Sequence, residues 1–60
     1  MYDLKHLRPL FNTKYFTVYM LGQITETTAK AVLVNDKDEQ YNGVINFKSK
    51  KILEIKNRVK

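Results

Sequence analysis

The chain has no cysteine, one histidine, one proline and two glycines in 60 residues, and each scarcity removes a class of explanation. No disulfide can staple the fold. A structural zinc site draws on three or four Cys or His ligands, and His6 stands alone. Nucleophilic catalysis needs a Ser, Cys or Thr beside a base, but Ser49 and His6 lie near opposite ends of the chain. Two glycines do not make a phosphate-cradling loop. No run approaches the roughly 20 apolar residues that cross a bilayer. The opening Met1-Tyr2-Asp3-Leu4-Lys5 lacks the apolar stretch of a secretory leader, so the expected location is cytoplasmic.

The carboxylates add little chemistry. Asp36, Asp38 and Glu39 share one polar turn, while Glu26 and Glu54 are scattered. Asp36-Lys37-Asp38 begins like a calcium loop, but Tyr41 stands where its sixth position needs glycine, and Phe47 where its twelfth needs glutamate. The expectation is a non-enzyme with no cofactor and no metal.

What is present favours a folded domain: 43% of residues are apolar and 12% aromatic. Residues 1–60 read as one domain, with no repeat, low-complexity tract or Pro/Gly/Ser linker. A chain this short buries only about 60% of its unfolded surface, so its stability rests on a tight core or on association.

Periodicity points to a mainly β architecture with room for α+β. Leu4, Leu7 and Phe11 fall at helical spacing, with Asp3 as an N-cap, but Pro9 limits any helix to about one and a half turns. Lys14 to Leu21, closed by Gly22, is dense in aromatic and β-branched residues and reads as a strand. Both its faces are apolar, which requires a central place in the sheet or a cover on the second face. Thr28 to Val34 is a second strand with Ala29, Ala31 and Leu33 on one face. Asn35 to Glu39 is the clearest turn, and Gln40 to Phe47 returns from it. Gly43 within that strand reads as a bulge or bend, because a hairpin at Asn42-Gly43 would leave too short a strand to pair. The last segment fits two periods, Leu53, Ile55 and Val59 an alternating strand and Ile52, Ile55 and Val59 a helix, and the β-branched Ile52 to Ile55 favours the strand. Three or four such strands form an antiparallel meander, expected to curl into a small SH3-like open barrel with a short N-terminal helical turn.

Charge is the one functional signal. Residues 48–60 hold Lys48, Lys50, Lys51, Lys56, Arg58 and Lys60 against Glu54, a net +5, whereas residues 1–47 sum to zero. On an extended strand Lys48, Lys50, Lys56, Arg58 and Lys60 share one face. A row of this kind can follow a phosphate backbone; it also serves as a charged edge that discourages aggregation. Seven aromatics exceed what one side of so small a core can hold, and Tyr15, Tyr41 and Phe47 are candidates for exposed stacking or interface anchors. Two readings follow. The first is a protein-interaction module, a regulator or inhibitor that docks on an acidic partner by a strand edge or by the Tyr15 to Leu21 strand, with a homodimer as one form of it. The second is a nucleic-acid-binding mini-domain using the basic C-terminal residues and the exposed aromatics.

Overall fold

The computed structural model describes residues 2–59. Five strands follow one another in a single antiparallel sheet: β1 (Phe11–Asn12), β2 (Thr17–Gln23), β3 (Thr28–Val34), β4 (Gln40–Asn46) and β5 (Lys51–Arg58). The mainly β meander is as the sequence implies, with one strand more than expected. The sheet is open. β1 and β5 are its two edges and do not pair with each other, so the SH3-like closure is not found.

Among the described residues there is no helix. The expected N-terminal helix is a single turn, in which Leu7 N–H donates to the Leu4 carbonyl at 3.1 Å and Asp3 Oδ1 accepts from Lys5 N–H at 3.1 Å. Between Asp3 and Pro9 the chain cannot extend past that first turn, and an isolated turn does not repay the entropy of nucleating it. Beyond Pro9, Phe11 pairs with Val18 as an edge strand instead.

β2 begins at Thr17, three residues later than the aromatic pattern implies. The Thr13 hydroxyl accepts from Phe16 N–H at 3.1 Å, and Thr13 N–H donates to the Phe16 carbonyl at 2.7 Å. That local capture folds Lys14-Tyr15-Phe16 into the β1–β2 hairpin and leaves Tyr15 outside the sheet. Asn35 organises the β3–β4 turn in the same manner: its Oδ1 accepts from Lys37 N–H at 3.0 Å and Glu39 N–H at 2.9 Å.

The core lies on one face. Val18, Ala29, Ala31, Leu33 and Ile45 are buried together, with Leu10, Phe11, Phe16, Met20, Tyr41, Phe47 and Ile52 packed around them. The alanines leave the room that these bulky neighbours fill. The second face is covered in part by the N-terminal segment. Tyr2 N–H donates to Gln40 Oε1 and Gln40 Nε2 donates to the Tyr2 carbonyl, both at 2.9 Å, so a side-chain amide does the work of a strand's peptide group. Gln40 is buried, and Val32, between Tyr19 and Asn42 in the ladder, is fully buried on this face. The two-sided apolar character of β2 is thus met in part: Val18 is buried in the core, the strap lies beside Tyr19, and Leu21 stays exposed.

Lys50, in the turn between β4 and β5, has φ of 58°. A side chain in that left-handed region costs about 1–2 kcal/mol, which exceeds the added unfolded-state entropy of glycine, about 0.5–1 kcal/mol. Lys50→Gly is expected to raise Tm by a few degrees in a thermal melt. A lower Tm would contradict the left-handed turn.

Candidate functional site

β5 is the exposed strand of the sheet. It pairs only with β4, and seven of its eight residues are solvent-exposed. The opposite edge, β1, is two residues long. Among the described residues β5 therefore presents the longest row of backbone donors and acceptors open to another strand, ahead of the Tyr19 to Gln23 stretch of β2 that the short β1 leaves uncovered. Leu53 and Ile55 stand on it 54% and 45% exposed, far above what a strand needs for its own core.

The register decides where the cations go. Glu54 pairs with Val44 but Ile52 with Ile45, and Arg58 pairs with Tyr41 but Ile55 with Gly43. Each shift inserts one extra residue in β5, and each bulge resets the alternation of side chains. The single basic face expected from an unbroken strand is accordingly divided. Lys48 and Lys50 lie in the turn before β5, and Lys51 starts the strand opposite Asn46. Asn46 Oδ1 shapes that turn by accepting from the N–H groups of Lys48 and Ser49, both at 3.0 Å. Lys56 lines a cleft on the second face together with Lys30. Arg58 shares the face of Tyr41 and forms an ion pair with Glu39 at 3.0 Å. Lys60 lies outside the described residues.

The aromatic candidates do not assemble with these lysines. Tyr41 packs edge-to-face on Phe16, ring centroids 6.0 Å apart, and Phe47 packs against the core, with the Lys48 ammonium 5.7 Å from its ring centre. Only Tyr15 is free, 68% exposed, with Lys14 5.5 Å from its ring centre. Tyr15 borders the β3–β4 turn, while Lys48 and Lys50 in the β4–β5 turn and Lys51 at the start of β5 lie at the far end of β4. The rise of a strand, about 3.4 Å per residue, puts those two ends about 20 Å apart. Tyr41 and Phe47 are thus half-buried, supplying the bulk that a one-sided core of small Ala29 and Ala31 needs.

Glu39 has a pKa held below the ordinary glutamate value. The hydrogen bond from Asn35 Nδ2, at 2.9 Å, is the main cause; partial burial opposes it, and the charges of Arg58 and Lys37 assist it. A folded-state value below the unfolded one means that this contribution is complete above the unfolded pKa, about 4.3, and is lost as pH falls through the folded value. Urea midpoints are expected to drop with acid in that window, and less steeply for Glu39→Gln. Parallel profiles for the two proteins would exclude the effect.

The structure also brings forward residues that sequence patterning passed over. Lys30 is exposed on the central strand β3 between buried Ala29 and Ala31. A lysine at an outward position of a central strand was the available signal that the second face is only partly covered. Asn42 and Asn57 meet across β4 and β5, Asn42 Nδ2 lying 3.5 Å from Asn57 Oδ1, a contact that depends on the bulge and so has no sequence signature. Among the described residues no group of three His, Asp or Glu side chains converges as a metal site would, and no helix is long and apolar enough to cross a membrane. No protein family, curated protein or solved structure matches the chain.

Proposed function

We propose that this protein is a non-enzymatic protein-interaction module that docks on an acidic partner by extending its sheet at β5. The observation that carries this reading is the eight-residue edge strand with exposed Leu53 and Ile55 set among Lys51, Lys56 and Arg58. An added strand gains main-chain hydrogen bonds from the edge and side-chain contacts from the two apolar residues. The strand carries three cations against Glu54, which favours an acidic segment over a neutral one and steers its approach. The same excess sets a second copy of β5 at a disadvantage relative to an acidic strand. Docking through β2, the other route considered, offers a poorer edge: β1 pairs with it only at Thr17 and Val18, and the stretch left open from Tyr19 to Gln23 is interrupted by the register shift between Met20 and Gly22.

Nucleic-acid binding is the weaker reading, since the basic residues are divided between the β4–β5 turn and the two faces of β5, and the stacking aromatics are largely packed. The experiment is capture from native cytoplasm treated with nuclease, using the wild-type protein and a Leu53→Glu/Ile55→Glu variant. Both substitutions are at exposed positions, so the fold should survive, as circular dichroism will verify. A stoichiometric protein retained by the wild type and lost by the variant supports the edge. Retention by both proteins, or recovery of nucleic acid alone before nuclease, overturns it.

A further inference from the structure

On the second face, beyond the strap, a cleft of about 250 Å³ runs across the strands from β2 to β5. Its apolar parts are Leu21 and Ile24, 40% and 50% exposed, with Val44 between strands and Tyr2 along the side of the strap. Its polar parts are Lys30, Lys56, Asn42 and Asn57. No carboxylate lines it, and neither lysine forms an ion pair among the described residues. Asn42 is engaged on both sides, its Oδ1 3.4 Å from the Tyr2 hydroxyl and its Nδ2 3.5 Å from Asn57 Oδ1. That arrangement leaves the Asn57 amide nitrogen without a partner among the described residues. Two ammonium groups and a free amide donor beside exposed aliphatic walls are a receptor for an anion carried on an apolar neighbour.

We propose that this cleft binds a carboxylate side chain of an extended acidic peptide, held between Lys30 and Lys56, with an adjacent aliphatic residue on Leu21 and Ile24. The inference rests on the reading of the protein as a module for acidic partners, and it names a recognition site apart from the β5 edge. A peptide carboxylate is favoured over a nucleic-acid phosphate because Leu21 and Ile24 give the cleft aliphatic walls that suit an aliphatic neighbour of the anion, with Tyr2 its one aromatic rather than a row of stacking faces. Glu54, opposite Val44 on the neighbouring strand, stands on this face outside the cleft and opposes an anion there.

The test is a titration of the nitrogen-15-labelled protein with the blocked pentapeptide Glu-Val-Glu-Val-Glu, its Gln-Val-Gln-Val-Gln counterpart and an octathymidine. The acidic peptide is expected to shift the side-chain amide signals of Asn42 and Asn57 and the backbone signals of Lys30 and Val44. Lys30→Glu should weaken it about tenfold, as reversing a charge beside a bound charge does. Lys48→Glu should leave the affinity unchanged, and Glu54→Gln should tighten it. Absence of saturable shifts, equal binding of the neutral peptide or the oligonucleotide, or indifference to Lys30→Glu overturns the cleft. Shifts confined to Leu53 and Ile55 would overturn the cleft while leaving the edge in place. Cleft shifts in a protein whose captured partner ignores Leu53→Glu/Ile55→Glu would do the reverse.

Discussion

Gly43→Val is expected to leave the chain unfolded, and Gly43→Ala to lower stability by about 3 kcal/mol, at the upper end of what overpacking usually costs. Gly43 is buried in β4 between Ala31 on β3 and Ile55 on β5. A Cβ placed there would lie 2.7 Å from the Glu54 carbonyl oxygen and 2.9 Å from Leu33 Cδ1. Leu33 can rotate, but the carbonyl belongs to the backbone of β5 and can yield only if that strand moves off β4. The entropy that alanine saves in the unfolded state, about 0.5–1 kcal/mol, is too small to compensate. A domain of this size is stable by roughly 3–9 kcal/mol, so valine, with two further methyl groups, exceeds the margin. Urea unfolding of the alanine variant and amide spectra of the valine variant check this. A wild-type midpoint for Gly43→Ala would mean that β5 does not lie so close.

Leu33→Ala is the second large effect, with an expected loss of about 3 kcal/mol for a deeply buried leucine. Leu33 is fully buried, opposite Val18 on β2 and Tyr41 on β4, at the centre of the core face. Its neighbours are strand residues fixed in register, so the cavity cannot collapse easily and the cavity cost adds to the transfer cost. The two substitutions should couple. Leu33→Ala removes one of the two groups that a Cβ at position 43 would strike, so Gly43→Ala/Leu33→Ala should be less destabilised than the sum of the single variants, by about 1 kcal/mol. Full additivity would place the whole clash at the Glu54 carbonyl.

The strands were legible because burial repeats every second residue. Ala29, Ala31 and Leu33 face the core as their alternation implies, and the polar run Asn35 to Glu39 forms its turn. The element starts were less legible where one side chain outweighed a pattern: Thr13 claims the amides that would have begun β2 at Lys14. Asn42-Gly43 is read correctly as no hairpin, yet the irregularity sits in the facing strand, because Gly43 admits the β5 backbone and β5 bulges beside it. That bulge undid the basic row. Counting parity along residues 48–60 assumes an unbroken pleat, whereas one inserted residue lies between Ile52 and Glu54 and another between Ile55 and Arg58, which puts Lys56 and Arg58 on different faces. The C-terminal lysines were therefore visible in advance and a strand was favoured over a helix there, while the division of charge between faces, the Arg58–Glu39 pair and the Lys30 cleft arise from tertiary register.

The order of the strands also sets a timetable. No rung of the ladders joins residues more than 18 positions apart, whereas the Tyr2–Gln40 clasp bridges 38. Short-range rungs close at low entropic cost, so the hairpins can zip one onto the next quickly for an all-β chain, and the clasp is the late event. In reverse, the strap is the part that should open first, and deuterium should enter at Tyr2 while the amides of Leu33 and Ile45 are still protected.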